Sequence, residues 1–154
     1  MLCGPRQPGA ERRLLIETAV LLANAVATLV MVGLIWFVQV VHYPLLAGVS
    51  VVGMAEHQRL TGYVVAGPMA VEAASAGLLL FVAPDGVSGL QAGLGLGLVA
   101  VIWLSTALLQ VPRHRALAGG TGDARRLVRD NWVRTIAWTA RGAIVVWMLA
   151  TATG

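Results

Sequence analysis

The chain has 154 residues, of which 58% are hydrophobic and only 12% are charged, whereas a soluble domain carries about 25% charged residues. So apolar a chain cannot cover a water-exposed surface with polar groups, and it buries too much apolar area to be disordered. The 11 basic residues, all arginine, exceed the 7 acidic ones, and we interpret them as loop charges that set membrane topology rather than as a nucleic-acid surface.

Four apolar runs predict four transmembrane helices, since each crossing needs about 20 apolar residues. A disordered tail is predicted for residues 1–13, followed by a single membrane domain over residues 14–154. The four spans are predicted at about residues 14–41, 64–83, 90–111 and 132–153. The predicted fold is therefore an all-α, four-helix transmembrane bundle.

The connection between the first two spans is less apolar than its neighbours. It follows Pro44 and contains the polar run from Glu56 to Arg59, so we predict an interfacial helix between spans 1 and 2. Pro68 is expected to break the second span near its start, and Pro112 is expected to end the third. Asp123 is expected to cap a short helix that precedes the fourth span.

Glycines recur at every fourth position at the start of the third span, at Gly89, Gly93 and Gly97. This spacing lets helix backbones approach closely. We expect the stripe to pack inside the bundle, with homodimerisation through the same residues as the alternative.

Arginines are concentrated in the two long connections, residues 42–63 and 112–131, and at the start of the fourth span. With four spans, both connections lie on one side of the membrane. The positive-inside rule then places them in the cytoplasm and both termini outside, in a bacterial-type inner membrane.

Charged side chains within the spans are the first candidates for function, because a charge in the bilayer interior is costly and is normally paired. Glu72 is predicted to pair with Arg141 or with Arg134. Asn131, Arg134 and Trp138 share one stripe of the fourth helix at spacings of three and four. Two interpretations stay open: a buried ion pair that only fixes helix register, and a polar pocket open to one membrane face.

All the histidines of the chain, His42, His57 and His114, fall in the long connections and hence on one membrane face, where we expect them to converge. Together with Glu72 they form a candidate metal site, and these ligand types suit iron, copper or zinc. The spacing matches no metal-binding motif. Ordinary loop polarity, with no cofactor, is the alternative.

Two short stretches carry a resemblance to a known family. They are Val111-Pro112 with Leu117 after the third span, and Asn131-Trp132-Val133-Arg134-Thr135 at the opening of the fourth. They resemble the V-P-x-x-x-x-L and N-x-x-R-T segments of the anthrone-oxygenase-like family of small membrane proteins. Tyr43-Pro44-Leu45 is similar to that family's P-x-L segment, while Gln110 and His114 stand where its pattern has asparagines.

The resemblance implies a four-helix membrane fold and, for some members, oxidation of anthrones to anthraquinones. We therefore expect an oxidase or oxygenase that acts on a lipophilic aromatic or quinone-like molecule in a polar pocket. The candidate catalytic residues are Glu72, Asn131, Arg134, Arg141 and His42. The alternatives are a non-enzymatic membrane subunit and, less favoured because no inverted repeat is visible, a small transporter.

Overall fold

The computed structural model describes residues 8–45 and 50–153, with the backbone alone at positions 51, 52 and 54. Within these residues all regular secondary structure is helical, as predicted. Two π-helical segments, Val38–His42 and Thr106–Gln110, each join one α-helix directly to the next. The α-helices are α1 (Pro8–Phe37), α2 (Tyr43–Leu45), α3 (Val51–Leu78), α4 (Gly89–Ser105), α5 (Val111–Ala118) and α6 (Ala124–Thr153).

The four long helices run alternately up and down, so that both ends of the described chain lie at one end of the bundle. Four long-range side-chain contacts fix this arrangement: His42 with His57, Asn24 with Ser75, Gln91 with Thr151, and Arg113 with Asp130. We call the end that holds His42, His57 and His114 the histidine end. The opposite end holds the turn over residues 79–88, which Ser88 closes by capping α4.

Three helical stretches are long and apolar enough to cross a membrane: Pro8–Leu45, Gly89–Ala118 and Ala124–Thr153. They indicate an integral membrane protein. The helix α3 is not among them. Its first turns carry the polar run from Glu56 to Arg59, and Pro68 and Glu72 lie further along it.

Several predicted boundaries are wrong. The helix α1 begins at Pro8, so residues 8–13 are helical, and residues 1–7 lie outside the described chain. In place of an interfacial helix and a separate second span, α3 is one continuous helix from Val51 that passes through Pro68 and ends at Leu78. A membrane helix tolerates an internal proline when neighbouring groups satisfy the freed carbonyl, so a proline in an apolar run is a weak stop signal.

The predicted end of the third span and the predicted start of the fourth also differ from the structure. The third helical stretch passes Pro112, which stands in the first turn of α5 directly after the second π-helical segment. The helix α6 begins at Ala124 without a break at Asn131, and the Asp123 carboxylate accepts a hydrogen bond of 2.9 Å from the Arg125 N–H.

The glycine stripe faces outward, so the expected packing inside the bundle is wrong. No neighbouring atom lies within 4 Å of a Cβ built at Gly89, Gly93 or Gly97. The glycine of α4 that the bundle requires is Gly95, where a Cβ would collide with the guanidinium of Arg141. The predicted stripe is thus on the outer face, and its alternative use, contact with a second copy, stays a prediction.

Two apolar layers cross the bundle. The first is next to the histidine end and comprises Met31, Ile35, Met69, Ile102, Ala137 and Trp138. The second is next to the opposite end and comprises Leu21, Leu79, Ala92 and Met148. The polar side chains in the middle of the bundle are confined between these layers.

Candidate functional site

The ion pair predicted between Glu72 and Arg141 is present between the two apolar layers. The Nε of Arg141 lies 3.7 Å from Oε1 of Glu72, and their side chains are 0% and 1% exposed. Oε1 of Glu72 accepts a hydrogen bond from Thr28, and Oε2 accepts one from the indole N–H of Trp138, each 2.9 Å long. Nη2 of Arg141 donates to Oδ1 of Asn24 at 2.9 Å. The carboxylate is therefore fully engaged within the bundle.

The predicted convergence of the three histidines is confirmed. Nε2 of His42 lies 3.0 Å from Nδ1 of His57. The ring centroids are 4.6 Å apart for His42 and His57, and 5.9 Å apart for His57 and His114. The two π-helical segments contribute to this meeting, because the first ends at His42 and the second ends one turn before His114.

Hydrogen bonds fix the tautomer of His114. Its Nδ1 lies 2.9 Å from the backbone carbonyl oxygen of Gln110, which can only accept, so this nitrogen carries the proton. In the neutral ring Nε2 is then an acceptor, and the Tyr43 hydroxyl lies 3.4 Å from it. His114 thus fixes the position of Tyr43.

For His57 two arrangements satisfy the contacts. Its Nδ1 lies near both Nε2 of His42 and, at 3.1 Å, the hydroxyl of Thr61. When Nδ1 carries the proton and donates to His42, Nε2 of His57 is a free acceptor; when Nδ1 accepts instead, Nε2 carries the proton. Nε2 is buried and has no hydrogen-bond partner among the described residues.

A cavity of about 350 Å³ opens beside the histidines. Its polar wall is formed by Tyr43, His57, Gln110, His114 and Arg134, one from each of five helical segments. The opposite, more apolar wall comes from α3 and from the second π-helical segment with the start of α5, and it is formed by Gly62, Val65, Thr106 and Val111. A cavity of this size and mixed lining suits a small organic molecule with a polar group.

Buried polar atoms without partners concentrate around this cavity. Within residues 8–45 and 50–153 they include both amide atoms of Gln110, Nε of Arg134 and Nε2 of His57, together with Nε2 of Gln58, which also lines the cavity. The remaining two, Nε and Nη1 of Arg141, lie in the central network instead. Gln110 is only 2% exposed. Leaving such a group unsatisfied costs about 1–3 kcal/mol, so a hydrogen-bonding molecule in the cavity, water included, would be stabilised at this wall.

Arg134 is held in place by a chain of hydrogen bonds. Its Nη1 donates to Oδ1 of Asn131 at 3.3 Å, and Nδ2 of Asn131 donates to Oε1 of Gln39 at 2.8 Å. Its guanidinium carbon lies 5.0 Å from the ring centroid of Trp138, which is within cation–π range. No carboxylate of the described residues pairs with Arg134. The alternative pairing of Glu72 with Arg134 is wrong.

The predicted site residues therefore fall into two groups. His42, Asn131 and Arg134 belong to the histidine end, together with His57 and His114. Glu72 and Arg141 lie beyond the apolar layer that contains Met31 and Ile35 and do not line the cavity.

The four-residue metal site is not formed, because both carboxylate oxygens of Glu72 are bound elsewhere. In the part of the chain that the structure describes, no three His, Cys, Asp or Glu side chains are grouped to hold a metal ion.

Gln110 and Gln39 are site residues that are absent from the predicted catalytic and metal-binding sets. Each had a signal. Gln39 and Gln110 are the last polar side chains of long apolar runs, and Gln110 precedes His114 by one helical turn. Their importance follows from the π-helical segments, which end at or contain these residues and carry no recognisable sequence signature.

Comparison with known proteins gives no indication of function, so the geometry of the cavity is the main guide. No family model, no curated protein and no solved structure matches this chain. The resemblance to the anthrone-oxygenase-like family therefore stays a prediction that rests on the short segments around Pro112 and Asn131.

Proposed function

We propose that the protein crosses the membrane four times, with its histidine end at the cytoplasmic face. The helix α3 is about 42 Å long at 1.5 Å per residue, which is enough to cross. Its antiparallel contacts with α1 extend from His57 to Ser75. Arginines outnumber acidic residues at the histidine end, which favours the cytoplasm. Both termini would then lie outside, in a bacterial-type inner membrane.

We further propose that the protein is a membrane-embedded oxidase or oxygenase acting on a lipophilic aromatic molecule with an ionisable oxygen or carbonyl group. The observation that carries this proposal is the set of unpartnered polar atoms on Gln110, Arg134 and His57 around one cavity. They supply an amide donor, a fixed positive charge and an imidazole nitrogen. These are the groups that remove a proton and stabilise the resulting oxyanion.

The chemistry can be written for an anthrone, the substrate class that the family resemblance implies. In the tautomer with its proton on Nδ1, His57 accepts the proton of the ring CH₂ at Nε2, and the electron pair moves onto the carbonyl oxygen. The guanidinium of Arg134 and the amide of Gln110 stabilise this oxyanion. Dioxygen takes the electrons at the former CH₂ carbon, and loss of water leaves the quinone. The balance is one anthrone and one O₂ consumed, and one anthraquinone and one water formed.

The test is the oxidation of anthrone by purified protein in nanodiscs, followed by anthraquinone absorbance and oxygen consumption. We expect a rate above that of empty nanodiscs. Replacement of a catalytic base or oxyanion donor lowers such rates about 10²- to 10³-fold, so His57→Gln and Arg134→Gln should approach the empty control. Glu56→Gln, an exposed surface change one residue away from His57, serves as the matched control.

A second candidate is a non-enzymatic membrane subunit whose buried charges are structural. The buried network of Glu72, Arg141, Asn24 and Thr28 favours it, because both oxygens of the Glu72 carboxylate accept hydrogen bonds inside the bundle. Anthrone oxidation at the empty-nanodisc rate, combined with purification free of any coloured ligand or metal, would support this candidate over the enzyme.

A further inference from the structure

We propose that the cavity at the histidine end is reached laterally from the bilayer, through a gap between α3 and the second π-helical segment that Gly62 keeps open. The inference rests on the proposed function, since it concerns how a lipophilic molecule reaches that cavity. It adds a residue, Gly62, whose role is access rather than chemistry.

The gap lies on the side of the bundle where α3 is least covered. The helix α3 packs mainly along α1, and its contacts with α4 and α5 are less extensive. Gly62 and Val65 line the cavity from α3, while Thr106 and Val111 line it from the other side. Gly62 and Val111 are both exposed, so the wall that these residues form also faces outward.

Gly62 leaves empty space where any other side chain would project. No neighbouring atom lies within 4 Å of a Cβ built at this position. The residue is in regular helix, so no backbone conformation requires glycine here. Glycine in a helix interior is less favourable than alanine, and at Gly62 the missing side chain leaves this part of the cavity wall open.

The depth of the gap matches the bilayer rather than the aqueous face. Gly62 and Val65 lie about 7.5 and 12 Å further along α3 than His57, at 1.5 Å per residue. Beyond Arg59, the exposed side chains of this part of α3 are apolar or aromatic, among them Tyr63 and Val64. An aromatic molecule dissolved in the bilayer hydrocarbon could therefore enter the cavity through the gap, and its polar oxygen would then meet Gln110 and Arg134.

The experiment uses the full chain in nanodiscs and the probe 1-hydroxyanthraquinone, whose binding is followed by stopped-flow quenching of tryptophan fluorescence. Three variants are compared with the wild type: Gly62→Phe at the gap, Gly77→Phe as control, and Gln58→Phe at the aqueous side of the cavity. Gly77 matches Gly62 because it lies in the same helix and no neighbouring atom lies within 4 Å of its Cβ position. Thermal unfolding of each variant verifies the fold.

An obstructed gap slows association and dissociation together, so Gly62→Phe should lower both rate constants about tenfold with little change in Kd. Gly77→Phe should leave both rates unchanged. Lateral access is wrong if the probe binds equally fast to Gly62→Phe and Gly77→Phe, or if only Gln58→Phe slows its binding. It is also wrong if Gly62→Phe raises the Kd of the probe without lowering its association rate constant. The proposed function itself fails in a different way, namely if the wild-type protein does not bind the probe.

Discussion

The indole N–H of Trp138 donates a hydrogen bond of 2.9 Å to Oε2 of Glu72. The same indole ring lies beneath the guanidinium of Arg134, which is 5.0 Å from its centroid. Trp138 therefore separates the two functional regions of the bundle. It occupies the second oxygen of Glu72, so that Arg141 is the ionic partner of this carboxylate, and it leaves Arg134 to the cavity.

Removal of one partner of the central ion pair should be more damaging than removal of both. Glu72→Gln and Arg141→Gln should each destabilise the protein by about 3–5 kcal/mol, because each leaves a buried charge uncompensated. The double variant should lose clearly less stability than the sum of the losses in the two single variants. Thermal unfolding in detergent measures all three. Glu56→Gln, which breaks an exposed ion pair with Arg59, should cost less than about 1 kcal/mol. Strict additivity would show that the two charges do not interact.

Gly95 should be the least replaceable glycine of α4. A methyl group there would collide with the guanidinium of Arg141, whose buried side chain is anchored by its contacts with Asn24 and Glu72. Gly95→Ala should therefore destabilise by about 1–3 kcal/mol, as expected for overpacking. Gly93→Ala, two residues away on the outer face, should be neutral or slightly stabilising because alanine is the better helix former. Equal melting temperatures for the two variants would contradict this packing.

The part of the site that could be predicted from sequence is the part that depends on helix periodicity and membrane sidedness. The stripe from Asn131 through Arg134 to Arg141 and the meeting of the histidines both follow from these two rules. The unpredicted part depends on tertiary packing. Nothing in the spacing of Gly89, Gly93 and Gly97 says which way the stripe faces, and Gly95 matters only because Arg141 is opposite.

The predicted helix boundaries at the two prolines were wrong for a related reason. Proline is a stop signal because it removes a hydrogen bond and clashes with the preceding turn. At Pro68 the helix continues, and at Pro112 the residue falls in a first helical turn that follows a π-helical segment. Both outcomes depend on neighbouring structure that a local pattern does not contain.

Acid should destabilise the histidine end. Burial and the neighbouring charges of His42 and His114 lower the pKa of His57, which lies outside the apolar part of α3, from 6.5 to about 4. Between these values the unfolded chain binds a proton that the folded protein does not, so stability falls as the pH falls from 6.5 to about 4. Between pH 6.5 and about 4, the melting temperature of His57→Gln should fall less steeply than that of the wild type. Identical slopes for the two proteins would contradict the shifted pKa.

The histidine end should be cytoplasmic. Single cysteines at Thr121 and Asp85, in a Cys3→Ser background, report the two ends of the bundle from exposed positions. The neighbouring loop glycines, Gly120 and Gly86, are avoided as labelling positions because their φ angles of 74° and 89° disfavour other residues. An impermeant maleimide should label Asp85→Cys in intact cells, and Thr121→Cys only after permeabilisation. Labelling of Thr121→Cys from outside would invert the topology.

Replacement of Gln110 most directly tests whether the cavity is built to bind a polar group of a lipophilic ligand. Gln110→Met keeps the length of the side chain but removes both unpartnered amide atoms. Since buried polar atoms without partners cost free energy, the variant should be at least as stable as the wild type. Loss of one hydrogen bond of about 1.4 kcal/mol should nonetheless weaken binding of 1-hydroxyanthraquinone about tenfold. The decisive measurement is the Kd of this probe in nanodiscs, taken together with the melting temperature of each protein. Weaker binding with unchanged or higher stability is the predicted result; unchanged binding with lower stability would show that Gln110 is structural and that the cavity is not a binding site.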